Sequence, residues 1–319
     1  MMDLISIGEM LIDFSPIEQV EKNIPAFQQN PGGAPANVAC VLSKLGCKSG
    51  FIGKVGQDPF GVFCKKTLET NGVDTSLLIL SKEYPTTLAF VCLSDDGNRE
   101  FSFYRNNTAD INLNFEELEG KKFTDTKFFH FGSVALTNEP SKTAVLECVK
   151  AAKEAGCIIS YDPNLRLPLW KSAQEAKEVI FEGFKFTDIL KISDEEAEFL
   201  FKETNCEKVC ELIDSTYNIP IIMITRAEKG CIARINGKNY KSDGYRCKVV
   251  DTTGAGDSFL AGIIYNLILN NKKIIELQSS EIEYMLDFAN ALGSLVTRKK
   301  GAIPAIPTKN EILQCMSSK

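Results

Sequence analysis

Two regimes of apolar and polar spacing alternate along the chain. Short apolar runs of strand length recur as "LISIG", "SGFIGKVG", "KFFHFGSVAL", "CIISYDPN", "DILKIS" and "IPIIMIT". Between them lie longer stretches with helical spacing. "PANVACVLSKLG" reads as a helix ending at Gly46. Asp58 can cap a second helix with Pro59 at its first position, and Gly72 stops it. A third runs from about Ser141 to Gly156. "CIARINGKNYK" predicts a hairpin turning at Asn236-Gly237, and the last third is mostly helical. Strand and helix in alternation predict an α/β fold, a mainly parallel sheet covered by helices on both faces.

Two segments break this rhythm. "TTLAFVCLSDDGNREFSFYR" is a pair of strand-like runs around "DDGN", and alternation puts Phe101, Phe103 and Arg105 on one face. The stretch from Leu11 to Asn30 reads as extended and irregular. Together they predict a small β-lid, residues 11–30 and 85–107, inserted into a core of residues 1–10, 31–84 and 108–319. No internal repeat, low-complexity tract or Gly/Ser linker is visible.

Composition narrows the chemistry. A chain of 319 residues has room for one large domain with an appendage, or for two smaller domains. The net charge of −6 argues against broad binding to nucleic acid or anionic lipid. "MMDLISIGEMLIDF" does not read as a signal peptide, and no run approaches about 20 apolar residues, so a cytoplasmic protein with no membrane span is expected. The 11 cysteines are odd in number and dispersed without a C-x-x-C, and read as reduced thiols. The 1 histidine, His130, reads as structural, which argues against a zinc site and a Ser-His-Asp mechanism.

The chemistry concentrates in "DTTGAGDSFLAG", Asp251–Gly262. "KVV" before it is strand-like and "DSFLAGIIYNLIL" after it helix-like, so Gly254, Ala255 and Gly256 fall at a helix N-terminus. Free amides and the helix dipole favour an anion there, and glycine permits close approach. The chain has no G-x-x-x-x-G-K-[ST], and G-A-G-D-S-F lacks the third glycine of G-x-G-x-x-G. Protein-kinase H-R-D and D-F-G motifs are absent too. An anion loop with a carboxylate beside it suggests phosphoryl transfer, in which amides hold the phosphoryl charge and Asp257 takes the proton of the attacking hydroxyl. From these residues alone, Asp257 as a helix-capping group stays open.

This segment resembles the C-terminal signature of the ribokinase-like (PfkB) carbohydrate kinases. Gly32, Gly33, Asn37, Ala39, Gly46 and Gly56 fall at the spacing of the family's N-terminal signature. Matching segments run from "GEMLIDF" to "KKGAIPAIP". Within the family, "GGAPANVA", "FSFYRN" and "YDPNLRLPLW" are most similar to the fructokinases. The resemblance implies a ribokinase-like three-layer α/β/α domain with a β-lid, and ATP-dependent phosphorylation of the 6-hydroxyl of D-fructose with Mg²⁺. A sister sugar kinase acting on 2-keto-3-deoxygluconate or ribose is the nearest alternative. A non-catalytic sugar- or nucleotide-binding regulator is a more distant one, against which the intact Asp257 and anion loop argue.

The resemblance assigns roles residue by residue. Asp257 matches the catalytic base, and Gly254, Ala255 and Gly256 the anion hole. Asp13, Gly33 and Asn37 match sugar contacts, with Asp257 also touching the sugar. Arg105 and Arg166 are candidates for substrate or phosphate contact, or for structural ion pairs. Ser193 and Glu196 fall on the family's N-x-x-E, whose glutamate organises Mg²⁺ through water; S-x-x-E is also a capping box. Thr225–Gly230 aligns with a nucleotide loop in which Ala227 replaces a glycine, and Asn290 with an adenine-side position. Asp251, Thr253, Val296, Lys299, Gly301 and Ala305 match two loops that present carbonyls to a K⁺ ion. The expected partner is a small-molecule sugar, with a homodimer through the lid.

Overall fold

A computed structural model describes every residue except 18–23, 25, 94–98, 119, 121–122 and 319, and the side chains of 91–93 and 99–101 are likewise not described. The chain opens with β1 (Met2–Ile7), β2 (Leu11–Ile17) and β3 (Ala26–Gly32), then α1 (Ala34–Lys44), β4 (Ser49–Gly56), α2 (Pro59–Thr70) and β5 (Leu78–Ser81). It continues through β6 (Leu88–Leu93), β7 (Arg99–Tyr104), β8 (Thr126–Gly132), α3 (Ser141–Glu154), β9 (Ile158–Asp162) and α4 (Ala173–Phe184). Next come β10 (Ile189–Ser193), α5 (Asp194–Phe201), α6 (Cys206–Tyr217), β11 (Ile221–Thr225), β12 (Cys231–Ile235) and β13 (Lys238–Ser242). Three helices close the chain: α7 (Ala255–Asn270), α8 (Ser279–Val296) and α9 (Lys309–Ser317).

The main sheet has the order β13-β12-β11-β10-β9-β8-β1-β4-β5. It is parallel from β11 to β5, and β12 and β13 form the antiparallel hairpin that Asn236-Gly237 predicted. Both faces are buried, so successive strand residues feed opposite cores. Leu4 and Phe128 pack with Val41, Leu260, Ile264 and Leu292 from the α1, α7 and α8 side. Ile7, Phe129, Ile159 and Tyr161 pack with Val149, Ile180 and Ile213 from α3, α4 and α6. Helix α7 is buried along most of its length, which is why its sequence is apolar all round. A Cβ on Gly262 would stand 3.0 Å from the Ala289 Cα, so glycine lets α7 seat tightly against α8. Among the described residues, no helix is long and apolar enough to cross a membrane.

The lid is a separate sheet with the order β3-β2-β6-β7. Its two halves come from the two predicted segments, but the described parts of the first, Leu11–Ile17 and Ala26–Gly32, are more regular than their sequence implies. β2 and β3 pair antiparallel with Asp13 opposite Asn30, and β2 pairs parallel with β6 from far along the chain. Pro31 sits on an edge strand, where a missing N–H is tolerated. The "DDGN" turn lies outside the described residues. Asp13 and Phe103 face the interior cavity. The opposite face carries Phe14 stacked on Phe90, with centroids 4.7 Å apart, and Phe60 of α2 meets Phe14 edge-on.

Candidate active site

The site lies beyond the C-terminal ends of β1, β9, β10 and β11. After β1 the chain goes to β4 on one side and later returns as β8 on the other, and such a switch point leaves a crevice. A cavity of about 590 Å³ opens there, roofed by the lid and floored by the start of α7.

Asp257 is a buried carboxylate of this cavity, 5% exposed. It stands in the first turn of α7, and Gly254 precedes that helix in a left-handed conformation (φ 79°). The Ala255 amide turns back to the Thr252 carbonyl at 3.2 Å, and Ala255 does not line the cavity. The amides of Gly256 and Asp257 have no carbonyl one turn back within the helix, and such free amides at a helix start suit an anion. Two side-chain amides grip the carboxylate: Asn37 Nδ2 donates to Oδ2 at 2.7 Å and Asn164 Nδ2 to Oδ1 at 3.0 Å. Burial pushes the Asp257 pKa up to about 6, with the Asp162 charge adding to it. The Asn37 bond, Lys191 and Arg166 pull the other way. Capping alone does not account for Asp257, because its oxygens accept from two distant side chains.

Asn37 therefore holds Asp257 as well as lining the cavity. Its Oδ1 is buried without a protein partner, leaving an acceptor for a sugar hydroxyl. Gly33 is forced: its φ is 132°, and a Cβ would stand 2.2 Å from the Glu9 carbonyl oxygen. Glu9 ties the start of α1 by accepting from the Ala34 amide at 2.9 Å, while Oε2 stays buried and unpartnered at the cavity. Burial raises the Asp13 pKa to about 6, against the pull of Arg166.

The two candidate arginines separate. Arg105 follows β7 and turns inward. It donates to Asp110 at 2.6 Å, to Thr137 Oγ1 at 2.6 Å and to the Val134 carbonyl at 3.0 Å. Arg105 does not line the cavity, and it pins the lid strand to the core. Phe103 does face the cavity, while Phe101 falls outside the described side chains. Arg166 stands exposed at the cavity wall with its guanidinium on its own loop's carbonyls.

Ser193 and Thr225 lie side by side at the ends of β10 and β11, both lining the cavity. Ser193 and Glu196 form a complete capping box. Glu196 also accepts from the Leu165 amide at 2.7 Å, so it joins α5 to the loop that carries Asn164 and Arg166. Among the described residues no group of three or more His, Cys, Asp or Glu could hold a metal ion unaided. Mg²⁺ usually keeps several waters and binds through one or two carboxylates plus phosphates, and Glu195 and Glu196 at the cavity wall suit that mode. Ala227 takes a positive φ of 46°, the conformation that the family's glycine would favour, and Gly230 follows at φ 80°. Asn290 does not line the cavity. It donates to Ser242 Oγ at 2.9 Å and so fastens the β12–β13 hairpin to α8.

The loops assigned to K⁺ meet beside Gly254. Asp251 accepts from the Thr253 amide at 3.0 Å, from Thr253 Oγ1 at 2.7 Å and from the Gly301 amide at 3.0 Å. The Val296–Lys299 turn closes at 3.4 Å and the Ala302–Ala305 turn at 3.1 Å. A Cβ on Gly254 would stand 2.5 Å from the Ala302 Cβ. The Asp251 side chain is thus a knot between loops, and cation ligands here would be main-chain carbonyls.

Several site residues escape a sequence reading. Asn164 grips Asp257 from a left-handed backbone (φ 48°) set by its own Asp162-Pro163 turn. Lys191 is a buried ammonium 3.0 Å from Asp162 Oδ2. Burial pulls its pKa down, but the charges of Asp162, Glu196 and Asp257 outweigh that, so it stays protonated. The available signal was a lone lysine inside the apolar strand "DILKIS". His130 is structural, buried with Nδ1 3.2 Å from the Ser160 carbonyl, and burial lowers its pKa to about 3.

A buried carboxylate at a helix start, under a β-lid and beside a sugar-sized cavity, is the arrangement of a carbohydrate kinase. Residues 1–309 match the pfkB family carbohydrate kinases, and the chain belongs to that family. It is an enzyme that transfers a phosphoryl group to a hydroxyl. Fructokinase-2 of Solanum lycopersicum is 43% identical over 312 residues, covering 97% of this chain and 94% of that protein. Probable fructokinase-5 of Arabidopsis thaliana is 42% identical over 323 residues, covering 99% and 98%. Among solved structures, a fructokinase from Xylella fastidiosa with bound ATP superposes with a TM-score of 0.90 at 30% identity, covering 99% of this chain and 98% of that one. A double mutant of a fructokinase from Vibrio cholerae O395, in fructose, ADP and potassium ion bound form, superposes with a TM-score of 0.88 at 30% identity, with the same coverage. The fold is the ribokinase-like three-layer α/β/α fold with its β-lid.

Proposed function

We propose that the protein phosphorylates D-fructose at its 6-hydroxyl with ATP. The observation that carries the chemistry is Asp257, buried at the anion-binding start of α7 and held by Asn37 and Asn164. Asp257 takes the proton of the attacking hydroxyl. The hydroxyl oxygen then bonds to the γ-phosphorus, and ADP leaves with the bridging oxygen. The Gly256 and Asp257 amides face the charge that spreads over the transferring oxygens. Glu196 is the residue we assign to hold a Mg²⁺ ion through water, and such an ion would supply positive charge against the phosphates. Asp13 and Asn37 Oδ1 are the acceptors for sugar hydroxyls. Fructose itself is supported by the fructokinases among the relatives. An ADP-release assay over a sugar panel tests the reading. D-Fructose is expected to give the highest kcat/KM and fructose 6-phosphate as product. A tenfold preference for ribose, or for 2-keto-3-deoxygluconate with Arg166 on its carboxylate, contradicts the sugar and leaves the kinase class intact.

We also assign a K⁺ ion to the carbonyls of the loops that Asp251 joins. Ordering of that knot fixes the α7 amides, so the ion acts on turnover more than on fructose affinity. The kcat is expected to be higher in K⁺ than in tetramethylammonium at equal ionic strength with Mg²⁺ saturating, with Na⁺ between. Equal kcat in all three salts contradicts the site.

A further inference from the structure

We propose that Lys191 is a catalytic residue whose ammonium contacts the phosphoryl group in transfer, beside the amides at the start of α7. The proposal rests on the kinase reading above.

Three observations carry it. Lys191 projects from β10 into the same cavity as Asp257, with its side chain 7% exposed. Its hydrogen-bond partner is Asp162 Oδ2 at 3.0 Å, which engages one of three N–H donors. A Cβ built on Gly256 would stand 2.8 Å from Nζ and 3.4 Å from Cε. Gly256 is helical and is not among the positive-φ glycines, so its backbone does not require glycine. The space that glycine leaves is filled by the ammonium.

The ammonium also stands at the start of α7, where the carboxylates of Asp162, Glu196 and Asp257 hold it charged. A helix N-terminus is the positive end of the dipole and repels a cation. A pair serving stability alone needs neither a cavity face nor a glycine cut to its shape, and buried pairs are weak stabilisers in any case. A phosphoryl group between the ammonium and the α7 amides turns the repulsion into shared attraction. Its equatorial oxygens then receive donors from two directions, with Asp162 holding the lysine in place. Asp257 works on the hydroxyl proton, while Lys191 stabilises charge on the phosphoryl oxygens.

The competing role is structural: Lys191 as nothing more than the counter-charge of Asp162. Comparing Asp162→Asn with the double variant Asp162→Asn/Lys191→Met separates the two, because both lack the ion pair and the double leaves no orphaned carboxylate. The readouts are kcat, KM for the sugar, and the affinity for ADP with and without aluminium fluoride in the presence of sugar. The double variant is expected to turn over about 10²–10³-fold more slowly than the single. Its ADP affinity should stay within about threefold while the tightening by aluminium fluoride disappears. Equal kcat and equal tightening in the two overturn the proposal. A wild type inactive on every sugar rejects the kinase reading and the proposal together, whereas an active wild type with equal variants rejects Lys191 alone. Gly256→Ala is the second variant, since alanine suits a helix better than glycine and the new Cβ meets the far end of the Lys191 side chain, not backbone. By displacing Nζ it should lower kcat at least about tenfold with the same loss of tightening. A Gly256→Ala enzyme at the wild-type rate overturns the proposal.

Discussion

Asp257→Asn is expected to lower kcat by about 10²–10⁴ while sugar and nucleotide affinities stay within about threefold. The amide keeps the shape of the carboxylate but cannot accept the hydroxyl proton. The effect should be visible in pH as well. Burial raises the Asp257 pKa to about 6. The ionised form is the active base, so wild-type kcat/KM should hold above that pH and fall with unit slope as pH drops through it. In Asp257→Asn the part of this acid limb carried by Asp257 should be lost, leaving the contribution of Asp13, whose pKa burial also raises to about 6. Purified variants at several pH values settle both points, and a variant keeping more than about a third of wild-type kcat removes Asp257 as the base.

Gly33→Ala is expected to damage both the fold and the site. Its φ of 132° is one that L residues rarely adopt, and the new Cβ would stand 2.2 Å from the Glu9 carbonyl oxygen and 3.2 Å from the Met10 Cα. Both are backbone atoms, so no side chain can swing away. Helix α1 begins at the next residue and carries Asn37, which donates to Asp257. We expect a stability loss of about 3 kcal/mol or more, from backbone strain and overpacking together. The remaining folded enzyme should lose most of its kcat as Asn37 leaves the base. Urea unfolding at an unchanged m-value reads the first effect and steady-state kinetics the second. Wild-type stability with wild-type kcat would contradict the strain argument.

The core of this fold was legible because parallel strands are local apolar runs with clear helical spacers between them. The lid was only partly so. Leu11–Asn30 looks irregular because β2 takes its ladder partner, β6, from more than seventy positions away, and its prolines mask the strand pattern. The Asp58 cap was readable for the opposite reason: its acceptor and the Gly61 amide are three residues apart, at 2.8 Å. The same contrast holds in the site. "DTTGAGD" is contiguous, so Asp257 and its amides could be read directly. Asn164, from the loop after β9, and Lys191, from within β10, reach the same cavity, and although the lysine stands out in its apolar strand, its local sequence does not show which groups it will meet. Arg105 shows the limit of face counting. Alternation along β7 points it at the substrate, but the strand ends at Tyr104 and the side chain turns to Asp110.

The most direct test of the central claim is a crystal structure with D-fructose and a non-hydrolysable ATP analogue. The account predicts the 6-hydroxyl within about 2.6–3.2 Å of an Asp257 carboxylate oxygen, on the side of the γ-phosphate facing the α7 amides. A sugar hydroxyl held elsewhere, with Asp257 bound only by Asn37 and Asn164, would contradict it.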